Sequence, residues 1–194
     1  MTTRRALAAL LLATALAAPG ADAAPPAPQL RDPAGDWMLP WQDIVAGRFS
    51  SVLVKGVPYL RGELTLTAPP DGVHNYYFLT FVHGCHKFQF SAFVGPDSPW
   101  PPSSHLEKRP YCFTGGLEEA EASYAATVSI RGSTVTWLAR YVGGVRRGST
   151  LSRFTAEAFT TAGGTTAHDV DVDLGDRAEG STRVYVVGSD LPRR

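Results

Sequence analysis

Aspartates near both ends of the chain form the first pattern with chemical meaning. Asp32 and Asp36 flank a glycine-containing turn, Asp43 follows shortly, and Asp176 belongs to an acidic cluster near the other end. Hard carboxylate oxygens suit Ca²⁺ outside the cell, so these four residues are our candidate ligands for a structural calcium ion. The alternative is that each aspartate caps its own turn by accepting a backbone hydrogen bond. Opposite shifts of the melting temperature in EDTA and in calcium would favour the metal.

Three of the four tryptophans fall in irregular segments. Trp37 and Trp41 lie where the domain begins, and Trp100 lies in the proline-rich segment 96–110, which we expect to be a long loop. A flat apolar ring with a polar N–H suits stacking on a sugar, and ordered loops on a β scaffold often carry binding. We therefore predict ligand binding at Trp37, Trp41 and Trp100, with loop packing as the alternative. Trp137 follows strand alternation and is predicted to lie in the core.

The sequence contains little evidence for a catalytic site. The chain contains no G-x-S-x-G nucleophile elbow and no H-E-x-x-H zinc motif. Glu118, Glu119 and Glu121 could supply one of the two carboxylates that glycoside hydrolysis needs, and the alternative is a solvated acidic loop. We assign no catalytic residue and keep a secreted glycan or peptide hydrolase as an alternative function.

One of the two cysteines and two of the histidines meet in the segment His83-Gly84-Cys85-His86. Two imidazoles beside a turn could share a metal ion, but they could equally be polar residues capping a hairpin turn. The chain has two cysteines, Cys85 and Cys112. In an oxidising compartment they are expected to form a disulfide, which would exclude Cys85 as a metal ligand.

The first residues carry the pattern of a secretory signal peptide. Two arginines precede an apolar run from Ala6 to Ala18, and Ala21-Asp22-Ala23 supplies a small-residue cleavage site. The apolar run is too short to span a bilayer. We predict a secreted, extracellular protein with three regions: a signal peptide at 1–23, a flexible linker rich in proline and alanine at 24–31, and a single domain at 32–194.

The charge balance narrows the choice of partners. Lys plus Arg and Asp plus Glu each number 18, so the formal net charge is zero at pH 7. Nucleic acids and anionic membrane surfaces attract proteins with a basic excess. We therefore expect neither as a partner, and a polysaccharide or a secreted protein remains.

Alternating apolar residues recur at strand length throughout the domain. Residues 74–95 contain two aromatic-rich runs about a Gly-Cys turn, which predicts a hairpin, and residues 124–141 predict a second one. The first run is apolar on both faces, as in a strand covered on both sides. No stretch has a helical period with caps. The sequence predicts an all-β fold, an antiparallel β-sandwich of jelly-roll or immunoglobulin-like type with about eight or nine strands.

Several short segments carry a family resemblance. The opening Asp-Pro-Ala-Gly-Asp at 32–36 with Asp43-Ile44, the Ala-rich strand at 154–158 and Asp176-Arg-Ala178 resemble family 9 carbohydrate-binding modules and the related DOMON domains. The resemblance implies a β-sandwich that binds a sugar or haem without catalysis, and it implies calcium at the matching aspartates. Such modules are usually attached to an enzyme, and a Trp pair like theirs cannot be placed in this chain.

The function expected from the sequence is therefore that of a secreted, non-catalytic domain that binds an extracellular polysaccharide. The alternatives are the hydrolase and a structural protein that binds a secreted partner. Trp100→Ala should remove polysaccharide retention if the protein is a binding domain, whereas Glu119→Gln should matter only for the hydrolase.

Overall fold

The computed structural model describes residues 26–36, 39–70, 75–94, 104–112, 119–160, 174–180 and 183–192. The predicted signal peptide lies outside these ranges. Eleven strands are present among the described residues, and no helix there is long and apolar enough to cross a membrane. In chain order the strands are β1 (Leu30–Arg31), β2 (Ile44–Val54), β3 (Val57–Leu66), β4 (Asn75–His83), β5 (His86–Val94), β6 (Ser104–Pro110), β7 (Ala122–Arg131), β8 (Thr134–Arg140), β9 (Thr150–Thr160), β10 (Leu174–Gly180) and β11 (Tyr185–Val186).

All strand pairs are antiparallel and belong to one sheet with the order β1-β2-β3-β8-β7-β6-β5-β4-β9-β10, while β11 pairs with β9. The first and last strands of this order contact each other, so the sheet is nearly closed on itself. The all-β antiparallel prediction is confirmed. The sandwich is not confirmed, because hydrogen bonding continues around the molecule instead of dividing into two separate sheets. The strand count also exceeds the predicted eight or nine.

Strand β7 makes the sheet continuous. Its first residues pair with β6 from Ala122 to Ala125, and its later residues pair with β8 from Ala126 to Arg131. One strand therefore joins the two parts of the sheet, which surrounds a single hydrophobic core. The apolar pattern in the sequence fits both a sandwich and such a barrel, because each buries one face of every strand.

Aromatic rings fill the core between the two sides. Phe49 on β2 lies 5.1 Å from Phe81 on β4 and 5.3 Å from Phe154 on β9, measured between ring centroids. Trp137 on β8 is fully buried 6.0 Å from Phe90 on β5, and its indole N–H donates to the backbone oxygen of Ser91 at 3.0 Å. The prediction that Trp137 is a core residue is confirmed. These contacts fix the two sides of the barrel against each other.

Both predicted hairpins are confirmed. The β4–β5 and β7–β8 pairs are joined by two-residue loops whose first residue, Gly84 or Gly132, has φ of 59° or 54°. This left-handed conformation is accessible to glycine at little cost and matches the twist of paired strands. β2 also carries a register shift in its pairing with β3, between Ile44 and Ala46.

Two strands occupy segments for which irregular structure was expected. Leu30 and Arg31, at the end of the predicted linker, form β1, because Leu30 is buried and the Gln29 side chain accepts a hydrogen bond from Phe49 N at 2.5 Å. Ser104–Pro110, at the end of the expected proline-rich loop, forms β6. That strand buries only Leu106, so its sequence has almost no apolar alternation to reveal it.

Candidate functional site

Four aromatic side chains form a cluster on the outside of the barrel, which we call the aromatic row. Its members are Phe93 on β5, Tyr76 and Phe78 on β4, and Phe159 on β9. The ring centroids lie 4.8 Å apart for Tyr76 and Phe93, 5.2 Å for Tyr76 and Phe159, and 5.4 Å for Phe78 and Phe159. Each residue is half-buried, so part of the row reaches solvent.

The outward direction of the row follows from the strand period of two. Tyr77, Leu79, Ala92 and Ala158 alternate with the members of the row and are buried in the core. Tyr76 pairs with Phe93 on one side and with Phe159 on the other, so three rings lie side by side across three strands. Cross-strand aromatic contacts of this kind stabilise the sheet and also form a continuous apolar surface.

Hydrogen-bonding groups flank the row on one side, on β5 and β6. Ser91 stands opposite Phe78 in the strand register, and its hydroxyl lies 3.1 Å from His105 Nε2. The same nitrogen lies 3.0 Å from Glu107 Oε1, and Arg109 forms an ion pair with Glu107. Burial raises the pKa of Glu107, but hydrogen bonds and charge from Arg109 and His105 outweigh it and leave the pKa below its ordinary value. This flank therefore carries an ionised carboxylate near neutral pH.

The other flank carries an ion pair. Glu157 stands opposite Phe78 on β9, and its Oε1 lies 3.6 Å from Arg177 Nε on β10. The row is thus an apolar strip whose Phe78 end has polar and charged side chains on both neighbouring strands.

Ser91, His105 and Glu107 have the residue types of a nucleophile, a base and an orienting acid, but not the geometry. A catalytic histidine uses one ring nitrogen for the nucleophile and the other for the carboxylate. Here the serine oxygen and the glutamate oxygen both contact Nε2 of His105. The arrangement therefore does not activate Ser91 for attack, and it supplies hydrogen-bonding groups instead.

The tryptophans predicted to bind ligand are only partly accounted for. Trp37 and Trp100 lie outside the described residues. Trp41 is half-buried, its backbone oxygen accepts a hydrogen bond from the Tyr77 hydroxyl at 3.0 Å, and no described residue accepts a hydrogen bond from its buried indole nitrogen. A binding role for the three tryptophans stays a prediction.

The predicted calcium ligands are also only partly brought together. Asp43 is buried, and its Oδ2 accepts hydrogen bonds from Gly35 N at 2.7 Å and from the Thr67 hydroxyl. This carboxylate holds the turn that contains Asp32 and Asp36, and it does not cap a turn of its own. Asp176 pairs with Ala158 through its backbone, and its side chain is not among the described ones. No described group of three or more His, Cys, Asp or Glu residues is arranged to hold a metal, so calcium stays a prediction.

The segment with the cysteines folds as a disulfide-linked turn. Cys85 and Cys112 form the expected disulfide with Cα atoms 4.9 Å apart, and Tyr111 N donates to Cys85 O at 2.8 Å. His83 Nδ1 donates to Thr150 O at 3.1 Å, and His86 Nε2 lies 3.4 Å from Glu121. Both imidazoles are therefore in polar contacts at the turn. The disulfide is compatible with an extracellular location, while secretion itself stays a prediction.

The glutamates of the hydrolase alternative give it little support. Glu118 is outside the described residues, and Glu119 is exposed. Glu121 accepts a hydrogen bond from Lys108 Nζ at 2.8 Å, and this contact holds the pKa of Glu121 below its ordinary value. A general acid needs a raised pKa, so Glu121 is poorly suited to protonate a leaving group.

Sequence reasoning missed the aromatic row, although its signal was present. The segment 76–93 has aromatic residues on both faces of two strands, and we interpreted the second face as one covered by further structure. In a nearly closed sheet each strand has only one face toward the core, so aromatic residues on the other face must lie outside.

Comparisons with known proteins add no further constraint on the site. The chain matches no protein-family model, and neither the curated proteins nor the solved structures gave a match. The case for a function therefore depends on the residues and their geometry.

Proposed function

We propose that this chain is a secreted, non-catalytic binding domain whose ligand is an extracellular polysaccharide, bound along the aromatic row. The observation that carries the proposal is the row itself, four half-buried rings on three adjacent strands with polar groups on both neighbouring strands beside Phe78. A pyranose ring presents an apolar C–H face and a rim of hydroxyls. An apolar strip with hydrogen-bonding groups beside it is complementary to both.

The dimensions of the row suit a chain of sugars. Adjacent strands are roughly 4.8 Å apart, so a row that crosses three strands extends about 10 Å across the sheet. Two linked pyranose rings cover a comparable length. The flanking groups, among them His105 and Glu157, lie where they can contact hydroxyls at the rim of a bound chain.

Three further features support the proposal. The disulfide is compatible with an extracellular location, because disulfides persist in oxidising compartments. The resemblance to family 9 carbohydrate-binding modules and DOMON domains implies binding of a sugar or haem without catalysis, and of these two ligands the aromatic row favours the sugar. The described Ser-His-Glu contacts and the lowered pKa of Glu121 argue against the hydrolase.

Co-sedimentation with insoluble cellulose, chitin, xylan and peptidoglycan tests the proposal. We expect retention on one of them, reversed by a soluble oligomer of the same sugar. The double variant Tyr76→Leu, Phe78→Leu keeps apolar volume but removes two rings of the row, and it should lose most of the retention. Tyr111→Leu is the matched control, because Tyr111 is an aromatic residue outside the row that is 38% exposed.

Retention of the double variant at the level of the unmodified protein would overturn the assignment to the row. A retention that instead depends on Trp37, Trp41 or Trp100 would move the site to the tryptophans predicted from the sequence. If no polysaccharide retains the protein, the ligand class is wrong and a secreted protein partner becomes the leading candidate.

A further inference from the structure

A second candidate site lies away from the aromatic row, where two clefts share Arg147. The first has a volume of about 530 Å³ and is lined mainly by apolar residues, including Leu53, Val57, Pro58 and Leu191. The second, of about 800 Å³, is lined by polar groups that include His83, Arg146 and Ser149. Both volumes are in the range of about 300–1,000 Å³ that is usual for small-molecule sites.

The apolar cleft is lined by apolar side chains that are exposed to solvent. Leu53 is 43% exposed and Val57 39% exposed at the tip of the β2–β3 hairpin. Leu191 and Pro192, from the segment after β11, also line the cleft. Exposed apolar surface in a cleft favours a ligand that removes it from water.

Arg147 is held in place where the two clefts meet. Its Nη2 donates to Pro192 O at 3.2 Å, and its aliphatic stem passes over Gly188, where an added Cβ would lie 2.8 Å from the Arg147 Cγ. Several guanidinium donors remain available to a ligand, because one guanidinium carries five N–H groups.

The charge of this region is unbalanced. Arg146 and Arg147 form no ion pair with any described carboxylate, and none of the described lining residues of either cleft is acidic. Asp190, in the segment that follows β11, lines neither cleft: its Oδ1 accepts from the Tyr185 hydroxyl at 2.7 Å and its Oδ2 from Ser51 N at 2.8 Å. The polar cleft therefore offers positive charge to an anion.

We propose that the two clefts together bind one anionic amphiphile, whose apolar chain lies against Leu53, Val57 and Leu191 and whose carboxylate or phosphate contacts Arg147 and Arg146. The apolar cleft accounts for the chain, and the guanidinium pair accounts for the head group. Arg147 faces both clefts, so it joins the two halves of the site.

Calorimetric titration of the whole protein with four probes below their micelle concentrations tests the inference. Dodecanoate and dodecyl phosphate carry both a chain and an anion, dodecanol carries only the chain, and inorganic phosphate carries only the anion. We expect saturable binding of the two charged amphiphiles, at least about tenfold weaker binding of dodecanol, and still weaker binding of inorganic phosphate. The ratio between dodecanoate and dodecyl phosphate distinguishes the two head groups.

Variants separate the two clefts. Arg147→Gln should weaken dodecanoate about tenfold more than it weakens dodecanol, whereas Leu53→Ser should weaken both to a similar extent. Arg131→Gln is the matched control, because Arg131 is exposed at the β7–β8 turn and lines neither cleft. Melting curves of each variant confirm that the fold is kept.

Three results would overturn the inference. The first is the absence of saturable binding by any amphiphile. The second is equal affinity for dodecanol and dodecanoate together with no effect of Arg147→Gln. The third is binding of inorganic phosphate as tight as that of dodecyl phosphate, which would reduce the site to an anion site.

Discussion

Ser51 shows how a single residue can organise a segment that is distant in the sequence. Its hydroxyl lies 2.7 Å from the Tyr185 hydroxyl, and it accepts hydrogen bonds from the Tyr141 hydroxyl and from Gly188 N, each at 2.8 Å. Asp190 completes this network by accepting from Tyr185 at 2.7 Å. The network attaches the segment after β11 to β2. No sequence pattern predicts it, because its members lie in three separate parts of the chain, whereas the burial of Trp137 followed from simple alternation.

Tyr185→Phe should lower the free energy of unfolding by about 1–3 kcal/mol, because it leaves Asp190 Oδ1 and the Ser51 hydroxyl with a lost partner in a buried site. Urea unfolding measures the change. Tyr59→Phe is the control: the Tyr59 hydroxyl contacts only the exposed Arg140 at 3.3 Å among the described residues, and its loss should cost less than about 0.5 kcal/mol. Equal losses in the two variants would show that the network contributes nothing specific.

Buried tyrosines give the protein a predictable response to alkaline pH. Burial raises the pKa of Tyr77 and of Tyr185 well above the ordinary value of 10.0. Above pH 10 the unfolded chain releases these protons while the folded chain keeps them, so stability that is complete below pH 10 is lost as the pH rises. The free energy of unfolding should fall by up to about 1.4 kcal/mol per pH unit for each tyrosine.

Urea unfolding between pH 9 and pH 11 would measure that slope, at values chosen as roughly one unit on each side of the ordinary tyrosine pKa. Tyr77→Phe and Tyr185→Phe should each make the slope shallower, independently of their effect on stability at neutral pH. A slope that is the same in both variants and in the unmodified protein would contradict the assignment to these side chains.

Strands and hairpins could be predicted where a glycine-containing turn and the apolar alternation on both sides of it indicated the same structure. Gly84 and Gly132 mark their hairpins in the sequence, and the flanking strands alternate clearly. β6 was not predicted, because Leu106 is its one buried residue. The strand is stabilised by its hydrogen bonds to β5 and β7. β1 was not predicted, because two residues are too few to show apolar alternation, although both pair with residues of β2.

The connection between β8 and β9 allows a paired test of backbone and packing. Gly143 and Gly144 have φ of 62° and 89°, but a Cβ on Gly143 would lie 2.7 Å from the Phe88 ring, whereas one on Gly144 would meet no atom within 4 Å. Gly144→Ala should cost about 1–2 kcal/mol through the left-handed backbone alone.

Gly143→Ala should cost a further 1–3 kcal/mol or so, because the buried Phe88 ring must move. Chemical unfolding of both variants gives the difference directly. Equal destabilisation would mean that the connection shifts freely and that the contact with Phe88 is not a constraint.

For the whole molecule, the all-β antiparallel fold could be predicted from the sequence, but the way in which the sheet closes could not. Alternation predicted the burial of Trp137, but in β4, where both faces are apolar, it did not distinguish the core face of Tyr77 and Leu79 from the outer face of Tyr76 and Phe78. Whether the strands form two sheets or one depends on where pairing continues, and here it continues through β7, whose alternation is the same in either case. The closure decides the candidate site, because it leaves the aromatic row outside.

Retention of the protein on insoluble polysaccharides, compared with that of the double variant Tyr76→Leu, Phe78→Leu, tests whether the aromatic row binds a polysaccharide. The account predicts retention on one polysaccharide, competition by its soluble oligomer, and loss of most of the retention in the double variant while its melting temperature shows that it is folded. Undiminished retention of the folded double variant, or no retention of the unmodified protein on any polysaccharide, would contradict the account.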